Sequence, residues 1–441
     1  HQHDYVAGQA SASLAITGDI FEQLTININS FELDHPDFGR WQQAKTGSIQ
    51  LPIAQPLATS MHDVCFKQQD VRIPAELCLM TEASHAQQHT QLLGSNLPLA
   101  LLNRFRDSNV AERIWGLATL NSSFIYNTST WEIEKLEGEL RSDNTVLFAL
   151  DEEISTRFDY WQVNRNGDLN HIEASLTAEL EQSKGMIIGD IALQPFDEMG
   201  ELDGEILMNL KDLTVLQWVL PDLRYEDAHA LAEINISGTN QQPMIEGSVE
   251  LAAREIGFSQ SGLLLSDVRI AAFDTPDNEN SITLDGQALS GDGWISIKGL
   301  IEPLKPELLI RIEGDKFRAI QVPTVTVDIS PNLTISLKDS RIDVQGEVTV
   351  PLAHIDQPEI SESGVSASND VVVLKNGEPV REQRSLSHYP VYADVRVNLG
   401  QDISVSGYGF EGGLKGSLRL IETPTRSLTA SGNVSVHNGH Y

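Results

Sequence analysis

From Val391 to Leu399 the chain reads Val-Tyr-Ala-Asp-Val-Arg-Val-Asn-Leu, apolar at every second position and mostly polar between. A period of two belongs to a β-strand with one face covered and the other wet; a helix repeats its apolar positions every three to four residues. The same alternation runs through Leu428–Val436, Val325–Ile329, Leu333–Leu337 and Ile342–Val350. Parallel sheets with helical crossovers need continuous apolar runs separated by helices, and the chain has neither in quantity. Two short segments, Leu97–Phe105 and Leu213–Leu220, are candidates for brief helices, and Pro221 stops the second.

A short unit recurs within these strands: glycine, then polar, apolar, polar, apolar. It stands at Gly247–Leu251, Gly346–Val350, Gly416–Leu420 and Gly432–Val436, each time with the glycine on the apolar side. Glycine inside a strand marks a bend, a bulge or a close approach of another backbone, so its repetition predicts a sheet that curves regularly. An ordinary large sandwich using glycine at turns is the alternative. Roughly 25 strands at ~4.8 Å each would extend on the order of 100–130 Å in one sheet. An exposed apolar face of that size must curl, pair with a second sheet or hold apolar cargo. The expected fold is therefore all-β: a long curved antiparallel sheet forming an elongated, taco-like β-groove with an apolar inner face and few short helices. Four parts are expected: a β-groove segment over 1–125, central repeats over 126–357, a flexible polar excursion over 358–389 and a C-terminal groove segment over 390–441. The excursion is marked by the small polar stretch Ser361–Asn369 and the charged stretch Lys375–Ser387 around the apolar Val371–Leu374.

Charge narrows the partners. Thirty basic against 63 acidic residues give −33, with no run of Lys or Arg. Nucleic acid, which needs a basic footprint, is excluded, and anionic headgroups are repelled by the same field. Any lipid must then be held by its tails. No stretch approaches the ~18–20 consecutive apolar residues that span a bilayer. The chain begins His1-Gln2-His3 and ends at Tyr441 directly after a strand-like segment, so it reads as a piece of a longer protein.

The two cysteines, Cys65 and Cys78, sit in alternating segments on either side of Asp70–Pro74. A hairpin would bring their sulfurs together, so a disulfide and an oxidising compartment are expected, with two buried thiols or a metal half-site as alternatives. Other chemistry fails on context. Gly407-Tyr-Gly-Phe-Glu-Gly412 has the letters of a dinucleotide fingerprint, but the strand-like Leu414–Leu420 follows it where a helix is required. His85 and His89 have helical metal-pair spacing in a polar loop without a third ligand, and Asp274–Asn280 lacks the glycine and terminal glutamate of a calcium loop. No nucleophile elbow is present. No enzyme activity, metal or cofactor is expected.

The order of several motifs resembles the TamB family, the inner-membrane component of the translocation and assembly module of Gram-negative bacteria. Leu220-Pro-Asp-Leu223 leads to Ile236-Ser-Gly-Thr239 and Pro243-Met-Ile-Glu-Gly-Ser-Val249. Gly346-Glu-Val-Thr-Val-Pro-Leu-Ala-His-Ile355 is followed by the polar excursion with Asp370-Val-Val-Val373. Leu399-Gly400, Gly407–Gly416 and Gly432–Tyr441 are similar to the family's last segments, and the paired cysteines with Leu97–Leu101 downstream fit as well. The resemblance implies a periplasm-spanning β-groove, related to bridge-like lipid-transfer proteins and anchored in the inner membrane. It also implies an outer-membrane barrel partner, engaged through a region beyond Tyr441.

Two functions follow. In the first, phospholipid acyl chains slide along a greasy trough between the inner and outer membranes. The expected lining is Ile342, Val344, Val348, Val391, Ala393, Val395, Val397, Leu399, Leu418, Leu420, Val434 and Val436. In the second, the sheet is a scaffold for assembling outer-membrane barrels and autotransporters, offering strand edges to a client. A self-filled β-sandwich or solenoid adhesin is the third option.

Overall fold

The computed structural model describes residues 8–36, 38–54, 59–84, 86–104, 113–130, 132–148, 155–197, 199–218, 220, 222–275, 281–302, 304–305, 307–357, 374–375, 378–379, 389–424 and 426–441. The expected excursion over 358–389 lies outside them, except for Tyr389 and a two-residue pairing of Leu374–Lys375 with Glu378–Pro379. His85 and residues 276–280 also fall outside.

The chain is all-β, and the described strands form one 25-stranded sheet, with the short Leu374–Lys375 and Glu378–Pro379 pair separate from it. The two short helices become 3-10 segments, Leu99–Arg104 and Thr214–Trp218, and Glu181–Ser183 forms a third. Contacts divide the chain into two units: His1–Pro221 with Ala230–Gly247, and Asp222–His229 with Ser248–Tyr441.

In the first unit each strand pairs antiparallel with its neighbours, from Gln9–Asp19 onward. One register row crosses ten strands: Phe66, Leu77, Gly94, Leu120 and Leu140, then Val163, Leu176, Gly189, Ile206 and Ile234. Residues directly opposite in a ladder share a face, so this row is an apolar stripe. One residue along, the row Leu93, Asn121, Glu139, Asn164, Ser175, Asp190 and Glu205 occupies the polar face. Cys65 and Cys78 are direct partners at the head of that polar row, joined as a disulfide with their Cα atoms 4.0 Å apart.

The second unit is antiparallel with one exception. Arg341–Gln357 pairs parallel to Val391–Gly407, Ile342 beside Val391 and Val348 beside Val397. Parallel neighbours need a crossover of a dozen or more residues, and the chain from 358 to 390 supplies that length.

Strands in both units carry register shifts. In the second unit those at Ser266/Arg269, Asp328/Ser330, Val350/Leu352, Leu399/Ser404 and Glu411/Gly413 lie toward the rim that carries the turns at Gly262, Gly291 and Tyr408, whereas Ile421/Thr423 lies at the opposite end of its strand and Arg318/Ile320 in the short strand Phe317–Val322. An extra residue in one strand bends it and sharpens its twist, so bulges aligned on successive strands fold the sheet along a line. Val350, Ala353 and Ile403 are buried at that line, against Val327, Ile329 and Leu414. Asp63, Asn96 and Asp267 sit inside such shifts with φ of 55°, 51° and 49°, a left-handed conformation that Asp and Asn tolerate better than other side chains.

At the same rim, Phe317–Val322 crosses the ends of the strands Leu263–Asp274, Ile282–Ser290 and Gly293–Glu302. The Gln321 N–H donates to Ser261 O at 2.9 Å, and the Ser290 hydroxyl reaches both Leu264 O and Arg318 O at 2.8 Å. Phe317 is buried beneath this crossing. Arg318 grips the buried Asp328 through two bonds of 2.7 and 3.1 Å, which raises the guanidinium above its ordinary pKa.

Candidate functional site

The apolar face of the second unit is built from alternation and register together. Its central row runs Leu251, Ile270, Gly286, Ile297 and Ile312, then Leu333, Gly346, Val395, Leu420 and Ala430, one residue from each of ten strands. Ten strands at ~4.8 Å give a stripe about 43 Å long. Parallel rows flank it, such as Ala272, Leu284, Gly299, Ile310, Ile335, Val344 and Ala393.

All twelve residues that sequence singles out stand on this one face. Ile342 faces Val391, Val344 faces Ala393, Val348 faces Val397 and Val397 faces Leu418. Val395 faces Leu420, while Leu399 and Val434 both face Gly416. Val436 faces Leu414 in the same parity. The alternation could not identify their neighbours across the sheet: Leu333, Ile335 and Leu337 on the preceding hairpin strand, then Ile310 and Ile312 on the strand beyond it. Nor could it single out Val350, Ala353 and Ile403 as the buried corner.

Exposure grades across this face. Val268 at 2% and Ala288 at 6% are closed off near the crossing strand, whereas Ile270, one step along the same strand, is 40% exposed. Val434 and Val436 on the last strand are 43% and 56% exposed. A packed sandwich core would bury every position of such a row. Here the face is covered along its bulged rim and half-open beyond it.

Glycines relieve the curvature. Gly346 has φ +133°, and a Cβ on it would lie 2.2 Å from Asn332 O on the neighbouring strand. The same crowding, at 2.0–2.2 Å, recurs at Gly247, Gly416 and Gly432, the other heads of the repeated unit. No side chain fits there, so the repeat records close backbone approach.

The polar face is charged and cross-linked. Arg419 holds Asp394 through paired bonds of 2.7 and 2.5 Å, which lowers the carboxyl below its ordinary range. Arg341 bonds Asp343 at 2.5 Å and lies 3.8 Å from the Tyr392 ring centroid. Gly407–Gly412, the dinucleotide-like segment, spans the Tyr408–Gly409 turn and the adjoining ends of the strands Val391–Gly407 and Phe410–Thr423.

Two family models match a chain with these faces. The model of the TamB N-terminal domain matches residues 2–251, more than half of the chain, and that of the TamB C-terminal domain matches residues 278–441. The chain belongs to the TamB family. Its sequence is 22% identical over 291 residues to the translocation and assembly module subunit TamB of Haemophilus influenzae. That stretch is 63% of this chain and 22% of the relative, so the chain spans under a quarter of that protein's length. No solved structure matches the chain. Among the described residues of this TamB-family chain, no helix is long and apolar enough to cross a membrane.

Proposed function

We propose that the apolar face is a conduit for phospholipid acyl chains in the periplasm, serving transport between the inner and outer membranes within a translocation and assembly module. The observation that supports this most is the ten-strand row through Ile297, Leu333, Val395 and Leu420, apolar throughout and half-exposed. Each acyl CH₂ moved from water onto such a surface gains ~0.8 kcal/mol. Because neighbouring positions are alike (Ile, Leu, Val, Ala and Gly), a tail moves from one to the next with little change in energy. A headgroup stays in solvent at the open side, since the −33 charge makes the rest of the surface a poor host for it. In this reading the full-length protein is anchored in the inner membrane, and an outer-membrane barrel partner receives the far end.

The test is photo-crosslinking from Val395 and, separately, from Arg396, in cells. Phospholipid adducts at Val395 and none at Arg396 are expected. Protein adducts alone would shift the function to the second reading, a scaffold for assembling outer-membrane barrel proteins. Adducts of neither kind would overturn both.

A further inference from the structure

The polar face of the second unit carries a cleft of about 640 Å³ over the paired strands Gly293–Glu302 and Glu307–Asp315. Trp294, Ser296, Lys298, Leu300, Leu309 and Arg311 line it, with Glu313 its one acidic lining residue. Lys298 and Arg311 are direct cross-strand partners. Like charges placed so repel each other and weaken the ladder. A second basic pair on this face, Arg396 and Arg419, is compensated, because Arg419 is clamped by Asp394. Lys298 and Arg311 have no such relief: among the described residues neither makes an ion pair, although Asp285 stands across from Lys298. In a chain with two acidic residues for every basic one, two adjacent cations without an ion pair in one cleft favour an anion there.

The surroundings add an apolar requirement. Trp294 is 45% and Leu309 53% exposed, and Leu289, directly across from Trp294, is 43% exposed. Both strands beneath the cleft are paired on each side, to Ile282–Ser290 and to Val325–Lys338, so no backbone edge is open to an extended peptide. Recognition must run through side chains: one planar fork, one point charge, an indole and two leucines.

We propose that this cleft binds a single phosphate-bearing amphiphile, its phosphoester oxygens on Arg311 and Lys298 and the first carbons of its chain against Trp294, Leu300 and Leu309. A guanidinium takes two oxygens of a tetrahedral anion side by side while an ammonium reaches a third, and an indole packs well where charge meets hydrocarbon. The site lies on the face opposite Ile297 and Ile312, so it is separate from the acyl conduit and does not depend on it.

The test is a tryptophan-fluorescence titration of the 441-residue chain with dihexanoylphosphatidylglycerol below its micellar concentration, beside inorganic phosphate. Saturable binding of the lipid is expected, with a signal absent from Trp294→Phe and an affinity at least tenfold weaker in Lys298→Gln/Arg311→Gln and in Leu309→Ser. Inorganic phosphate should give no saturable change over the same range. Arg396→Gln, a cation of the same face outside the cleft, should bind as the parent does. Unchanged affinity in Lys298→Gln/Arg311→Gln would overturn the proposal, as would an equal loss of binding in Arg396→Gln. Equal binding of inorganic phosphate would overturn it too, leaving a simple anion site. Because the two cations repel, the double variant should keep the parent's thermal midpoint, so a loss of binding is not a loss of fold.

Discussion

Val395 and Leu420 stand directly opposite each other on one face of the sheet, while their chain neighbours Arg396 and Arg419 stand opposite each other on the other face. A single step along the backbone therefore separates an apolar row ten strands long from a charged surface. Val395→Arg should block lipid passage and abolish lipid adducts, because it sets an unpaired cation in the middle of that row. Arg396→Gln should leave both near the parental level. A transport assay in cells depending on this chain checks the pair, and equal effects at the two positions would remove the apolar face from the function.

Gly346→Ala should destabilise the second unit by about 1–3 kcal/mol, since its Cβ would meet Asn332 O at 2.2 Å and its φ is +133°. Gly286, in the same row, gives the contrast: its nearest obstacle is Ile297 Cβ at 3.6 Å. Gly286→Ala should change stability by less than about 1 kcal/mol. Denaturant midpoints of the two variants measure the difference.

Removing one partner of the Arg318–Asp328 pair leaves the other charge partly buried beneath the crossing strand. With side-chain exposures of 23% and 10%, the pair keeps some contact with water. Asp328→Ala should cost about 2 kcal/mol, and Arg318→Met/Asp328→Leu should recover most of that loss. A double-mutant cycle by chemical denaturation checks both numbers.

Asp394 should titrate below 3.8, its ordinary value, because its ionised form is bonded to Arg419. A carboxyl whose folded pKa is depressed adds stability above its unfolded pKa, and that contribution disappears as pH falls through the folded value. Acidification through that folded value, below 3.8, should therefore release the Asp394–Arg419 link. Carbon-detected NMR of the Asp394 carboxyl should show the low midpoint, and Arg419→Gln should return it to the ordinary range.

Reduction of Cys65–Cys78 should lower the stability of the first unit by about 3 kcal/mol, the scale expected for a closed loop of 13-residue separation. The bond sits on the polar face, opposite the row through Leu77, so Cys65→Ser/Cys78→Ser should leave lipid adducts at Val395 unchanged. Thermal melts with and without reductant measure the first effect.

Face parity was legible in the residues from Val391 to Leu399 alone, because alternation is a local property: Cβ directions reverse at every strand residue whatever the partner. The repeated glycines at 247, 346, 416 and 432 were legible for a similar reason, since a missing side chain inside a strand is visible without knowing what crowds it. Asp63, Asn96 and Asp267 carry a further local signal. An Asx residue interrupting the alternation marks a left-handed bulge, and those bulges bend the strands. Other features were decided only by the tertiary structure: the parallel pairing of Ile342 with Val391, the buried corner of Val350, Ala353 and Ile403, and the meeting of Lys298 with Arg311. Each depends on which strand lies beside which, and in what register. That choice is made by burial summed over the whole sheet, so no window of neighbouring residues contains it.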